Sequence, residues 1–163
     1  MLFRSTDVYE DPFHGREDLA HRRLRVVDAE RFGDDSLRVL RAVQFAARFD
    51  FALDDEATAI CRAIPLDDLP AERIWGELEK LLLQAPRPSI GLELALTLGV
   101  VDALLPELRP MVGCPQEPEW HPEGDVWVHT LMVVDEAASR NQDLDRPRRI
   151  AIMLGALCHD LGK

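Results

Sequence analysis

Two groups of residues in this 163-residue chain have the types and spacing that chemistry requires. In the first, Asp35 precedes Arg38 by three positions, and Arg41 and Arg48 follow at intervals that keep the three guanidinium groups within about 80° of arc on a helix. An ionised carboxylate only accepts hydrogen bonds and a guanidinium only donates them. Cytosine and adenine each present an exocyclic amine beside a ring-nitrogen acceptor, so Asp35 can accept from the amine while Arg38 donates to the ring. Uracil and guanine reverse that order and would leave charged groups unpaired, at about 1–3 kcal/mol or more per group. The same pattern also describes an amphipathic helix with a solvated, salt-bridged face, packing Val39, Val43 and Ala46 inward with Leu40 and Ala47 at the margins.

The second group is His129, near the start of the segment WVHTLMVVDEAA, and the adjacent pair His159-Asp160, which follows the apolar stretch LGALC. Imidazole and carboxylate are ligands for divalent transition metals. His129 alone reads as a core histidine on an apolar helix. An adjacent His-Asp pair one helix later is a more specific pattern.

Mainly helical elements must position these residues. The sequence predicts helices from Gly33-Asp34 to about Phe49, from Asp54 to about Ile64, from Pro70 to Pro86, from Pro88 to Leu98 closed by Gly99, and a short one from Val101 to Leu105. Asp125 is placed to cap a helix reaching about Arg140, and Pro147 to open another that carries Ile150, Leu154 and Leu157. A turn-rich stretch, Glu10 to Gly15, precedes a short β-branched run around Leu24–Val27 that reads as one strand. Pro106, Pro110, Pro115, Pro118 and Pro122 cannot continue a helix, so this segment reads as a linker.

Composition narrows the function classes. A net charge of −11 excludes a uniformly basic nucleic-acid-binding surface, since phosphate contacts are made by Lys and Arg. Any RNA contact must be local, and eight arginines between Arg16 and Arg48 supply a place for it. Three widely spaced cysteines, Cys61, Cys114 and Cys158, form neither a disulfide framework nor a finger-type zinc pattern, which points to a reducing cytoplasm. No apolar run approaches the ~20 residues of a membrane span.

The run from Asp34 to Phe49, DDSLRVLRAVQFAARF, resembles the EDxxRxLRAxRFAxRF signature of class II nucleotidyltransferases, which include bacterial CCA-adding enzymes and bacterial poly(A) polymerases. Asp34 for Glu, Ser36 for the proline usual at that position and Gln44 for the common Arg depart from it, and none is part of the Asp35/Arg38 pair. DPFHGREDLAHRRLRVV is similar to the family's DPxGGxxDLxxxxLRxV segment, with His14 in place of a glycine, and DLPAERIWGELEKLLLQ to the neck motif, with Glu72, Arg73 and Glu77 at matching places. The resemblance implies that Asp35 and Arg38 form an amino-acid template for the incoming nucleotide and that Arg41 helps hold it. It implies transfer of CMP or AMP from CTP and ATP to the tRNA 3′ end with magnesium, or poly(A) addition. HPEGDVWVHTLMVV followed by LGALCHDLGK is similar to the HD phosphohydrolase domain appended to some of these enzymes, which implies His129, His159 and Asp160 as three of four ligands to nickel or manganese.

From the resemblance the chain divides into the end of a catalytic head (1–32), a helical neck and body (33–108), a linker (109–124) and the first helices of an HD domain (125–163). The family's GG turn and DxD carboxylates have no counterpart here, since Met1–Glu10 holds only Asp7 and Glu10 as acidic groups. No catalytic residue is therefore assigned, and the chain is expected to be an interior piece unable to add nucleotides by itself. The fourth HD ligand, an Asp, is expected after Lys163. An alternative function is that of an HD-type metal-dependent phosphohydrolase acting on 2′,3′-cyclic phosphodiesters or phosphomonoesters.

Overall fold

A computed structural model of the chain describes residues 10–117 and 119–163. Asp7, one of the two acidic groups at the start of the chain, and Pro118 of the proline-rich segment lie outside them. Helix α1 (Gly15–Ala20) is followed by β1 (Arg23–Leu24), α2 (Leu37–Phe49), β2 (Ala52–Leu53), α3 (Asp55–Ala63), α4 (Ala71–Gln84), α5 (Pro88–Thr97), α6 (Val100–Leu104), α7 (Val126–Arg140) and α8 (Arg146–Cys158). The chain is mainly helical, as its sequence predicts. Among the described residues the sheet consists of two short parallel strands, with Arg23 opposite Ala52 and Leu24 opposite Leu53.

Helix starts follow the predicted chemistry. Asp54, Asp125 and Asp145 each have extended backbone and accept a hydrogen bond from the N–H three residues on, at 2.8, 2.9 and 3.0 Å. Such a cap contributes about 1 kcal/mol by satisfying a donor the helix leaves free. Asp145 does this one residue before α8 and two before Pro147, so the cap rather than the proline sets that start.

Three expectations are corrected. The first long helix does not begin at Gly33-Asp34, because Phe32–Asp34 form a 3₁₀ turn and Asp35 is extended (φ −142°, ψ 102°), so α2 starts at Leu37. The Asp35 carboxylate accepts from the Leu37 N–H at 3.2 Å, a local bond that competes with helix continuation. The strand stops at Leu24, and Val27 beyond it is exposed. The proline-rich segment opens as a 3₁₀ helix, Pro106–Met111, whose Leu108 and Met111 are buried.

One apolar core runs from α2 to α8, with Val39, Leu92, Val101, Val134 and Met153 fully buried. Polar contacts fasten α7 and α8 to the earlier helices. The Ser89 hydroxyl and N–H donate to Asp135 at 2.6 and 2.9 Å, and Arg149 donates to the Leu83 carbonyl at 2.7 Å. Gly91 lies where α5 crosses α2, and a Cβ there would stand 2.4 Å from Leu81 Cδ1 and 3.0 Å from the Val43 carbonyl oxygen. Packing this close fixes how α2 presents its arginines.

Candidate nucleotide site and metal cluster

The segment before α2 is held by its own motif residues. Asp11 accepts from the N–H groups of Gly15 and Arg16 at 2.7 and 3.0 Å. Asp18 pairs with Arg23 at 2.6 Å and Arg25 at 3.0 Å, and the guanidinium of Arg23 foremost holds its carboxyl below the usual range. His14 adopts the left-handed conformation (φ 59°). That explains why a glycine suits this position, and histidine is among the residues that reach the region most readily. These contacts hold Arg25 beside β1, and both Arg25 and Leu24 line a cavity that α2 also borders.

A cavity of about 270 Å³ lies between β1 and the helices α2 and α3, lined by Leu24, Phe32, Arg38, Arg41, Phe45 and Cys61 among others. Its wall is largely apolar, and Arg25, Arg38 and Arg41 stand on it. Arg38 donates to the backbone carbonyls of Arg31 and, at 3.2 Å, Phe32, and lies 6.0 Å from the Phe32 ring centre. Arg41 is exposed and sits 5.6 Å over the Phe45 ring. Cys61 contributes an inert thiol, since burial pushes it up to about 11.

Asp35 does not line this cavity, and its carboxylate is engaged elsewhere. Arg73, in the first turn of α4, donates Nη2 to both carboxylate oxygens at 3.0 and 2.9 Å. That guanidinium, outweighing partial desolvation, holds the Asp35 carboxyl below its ordinary value, and the Leu37 N–H adds to it. The structure thus brings Arg38 and Arg41 to one cavity and ties Asp35 to α4. Ser36, where the signature has proline, is buried and donates to Asp68 at 2.6 Å. Gln44, where an arginine is common, is buried beside a groove it shares with Glu77 and Lys80, which pair at 2.7 Å. Arg73 was legible as a motif residue, but its partner was not.

At the other end, His129, His159 and Asp160 converge. Each offers a ligand atom within 4.8 Å of the others', and the two rings are 5.4 Å apart. His129 Nδ1 is 2.6 Å from Glu123 Oε1, and His159 Nδ1 is 2.8 Å from the Ala156 carbonyl. Each contact requires Nδ1–H as donor, which leaves each Nε2 as the lone-pair atom. Asp160 is buried. Burial pushes its carboxyl up, but Lys163 at 2.7 Å and the nearby histidines carry it below the ordinary value, so it is an anionic donor. Two imidazole rings and one carboxylate at this span fit a divalent transition metal.

A second group shares His129. His121 Nδ1 lies 3.1 Å from the same Glu123 oxygen, and the His121 and His129 rings meet edge-on at 4.9 Å. The Glu123 backbone N–H first, then His121 and His129, lower the Glu123 carboxyl to about 2. Neither residue was singled out from sequence, because both sit in the proline-rich stretch between Pro115 and Gly124. The spacing His-x-Glu-x₅-His was the available signal.

The fold is shared with tRNA-processing enzymes of known structure. One described as "Structure of tRNA-processing enzyme complex 3" superposes with a TM-score of 0.50 at 22% identity, covering 89% of this chain and 42% of that one. The apo form I of a tRNA-processing enzyme gives 0.50 at 21%. Residues 50–111 match the family described as the probable RNA- and SrmB-binding site of polymerase A. In sequence, the multifunctional CCA protein of Dechloromonas aromatica is 43% identical over 158 residues, which is 94% of this chain and 36% of that protein. Its namesake in Leptothrix cholodnii is 44% identical over the same share. The chain is similar to these multifunctional CCA proteins along nearly its whole length and spans about a third of theirs.

Proposed function

We propose that this chain supplies base selection and tRNA-contacting helices to a nucleotidyltransferase that adds CMP and AMP, from CTP and ATP, to the tRNA 3′ end in the cytoplasm. The observation that carries the reading is the cavity beside α2, where Arg38 and Arg41 flank an apolar wall that suits the face of a base. The 43% identity along nearly the whole chain to a multifunctional CCA protein supports it. For the pair to read a base, Arg38 must exchange the Arg31 and Phe32 carbonyls for the ring acceptor. The Asp35 carboxylate, still gripped by Arg73 on both oxygens, keeps lone pairs for the amine. Arg41, exposed at the rim, is placed for a phosphate.

The residues 1–32, 33–108, 109–124 and 125–163 are read as the head end, neck and body, linker and first HD helices. The match of residues 50–111 to a probable RNA-binding site favours the second range as the RNA-contacting one. Magnesium supplies the Lewis acid for nucleotidyl transfer, and the carboxylates to hold it are not assigned within these residues. Incorporation of labelled CTP and ATP into tRNA lacking its 3′ end by the intact protein tests the reading. Failure to incorporate either nucleotide sinks it.

A second activity, metal-dependent phosphohydrolysis, is favoured by the convergence of His129, His159 and Asp160. Nickel or manganese bound there would polarise a phosphate ester and activate water. The chain's own residues present two Nε2 atoms and an ionised, buried carboxylate. The intact protein is expected to hydrolyse a 2′,3′-cyclic nucleotide with nickel or manganese, and His159→Ala to lower that rate at least 100-fold while leaving CTP incorporation unchanged. Equal hydrolysis by the variant would remove the assignment.

A further inference from the structure

The metal ligands proposed above leave Glu123 and His121 without a stated role, although both lie against His129. We propose that Glu123, braced by His121, is the positioning residue of the metal site, holding the His129 ring so that Nε2 faces the cation shared with His159 and Asp160. This rests on the metal reading of that cluster.

Three features of the geometry carry it. Glu123 Oε1 accepts from His129 Nδ1–H at 2.6 Å, which occupies Nδ1 and leaves Nε2 as the ring nitrogen free to face a cation. His159 achieves the same outcome differently, through the Ala156 carbonyl of its own helix at 2.8 Å. His129 sits in the first turn of α7 and lacks such a partner within its helix, so a side chain from the preceding turn does the work. His121 then meets the same carboxylate oxygen at 3.1 Å and packs its ring edge-on to His129 at 4.9 Å, fixing both the acceptor and the plane of the ring. The Glu123 side chain is only partly exposed, and one of its carboxylate oxygens meets both rings.

Carboxylate–histidine–metal arrangements of this kind raise the basicity of the ligand and remove its rotational freedom, and losing the outer partner costs 10–100-fold in metal affinity. A separate ion held by His121, Glu123 and His129 is the competing arrangement, since these too lie within 4.8 Å of one another. The 2.6 Å contact favours the first arrangement, because it is a hydrogen-bond distance that consumes the Nδ1 position.

The test uses the intact protein and Ni²⁺ alone, with affinity and stoichiometry from calorimetric titration and the His129 tautomer from ¹⁵N spectra of the metal-free protein. The native protein should bind one Ni²⁺ and show His129 as the Nδ1–H form. Glu123→Ala should weaken Ni²⁺ binding 10–100-fold and lose that fixed tautomer, with the thermal melt unchanged. Glu123→Gln, which keeps a carbonyl acceptor, should recover most of the affinity. Unchanged affinity and tautomer in Glu123→Ala, while His159→Ala still loses Ni²⁺, would overturn the positioning role alone. Two Ni²⁺ per native protein, one of them lost in Glu123→Ala, would overturn it in favour of a separate ion site. No binding by the native protein, or binding indifferent to His159→Ala, would overturn the metal reading on which the role depends.

Discussion

Replacing Asp35 by alanine in the intact protein should lower the kcat/KM for CTP and ATP at least 100-fold and erase most of the preference over UTP and GTP. A factor of 100 corresponds to about 2.7 kcal/mol, within reach of one lost charge-assisted hydrogen bond plus an unpaired donor on the base. Asp35 also has local work. It accepts from the Leu37 N–H at the start of α2 and from Arg73 across to α4. Alanine therefore also removes a local hydrogen bond worth about 1 kcal/mol, or about 2–4 °C of melting temperature for a chain of this size. Asparagine separates the two contributions. Its amide keeps an acceptor for Leu37 but offers a base both a donor and an acceptor, so Asp35→Asn should melt like the native chain while admitting UTP and GTP. Arg73→Ala should behave in the opposite sense, loosening the start of α4 and lowering the rate with base choice retained. Base choice unaffected by Asp35→Asn would mean that Asp35 is only a local hydrogen-bond acceptor and an ion-pair partner.

That division marks where the sequence is legible. Periodicity and caps locate α2 to α8 to within a few residues, because a capping aspartate and an apolar stripe are local features. Arg38 and Arg41 were legible as residues of one face because their spacing is helical. Asp35 was misplaced by one turn of structure, since its own side chain captures the Leu37 N–H and ends the 3₁₀ turn that precedes α2. Partners distant in sequence were not legible. Nothing in the order of residues joins Arg73 to Asp35, Ser36 to Asp68 or Ser89 to Asp135, because each pair meets only when helices pack. His121 and Glu123 were hidden for a different reason. A stretch dense in proline reads as a linker, whereas here its turns aim both side chains at α7.

Three glycines within helices should respond to substitution with opposite signs, and the largest stability change is expected at Gly91. Removing a helical glycine ordinarily stabilises, by about 0.5–1 kcal/mol for alanine, because the unfolded chain loses freedom. Gly76 in α4 and Gly155 in α8 have nothing within 4 Å of an added Cβ, so Gly76→Ala and Gly155→Ala should each raise the melting temperature by about 1–4 °C. Gly91 differs because a Cβ would stand 2.4 Å from Leu81 Cδ1, 3.0 Å from the Val43 carbonyl oxygen and 3.1 Å from Ala47 Cβ. Leu81 can rotate away, but the other two belong to the backbone and first side-chain atom of α2, which must itself move. Overpacking of this kind costs about 1–3 kcal/mol for one carbon, and Gly91→Val, with three carbons and a stiff χ1, should exceed that. A fall of about 6–12 °C is expected for the valine variant. Since α2 carries Arg38 and Arg41, the displaced helix should also weaken nucleotide binding by the intact protein, which neither Gly76→Ala nor Gly155→Ala should do. A valine variant that melts with the native chain would show that α5 does not press on α2 at Gly91, and the arginines would then owe their placement to something other than this crossing.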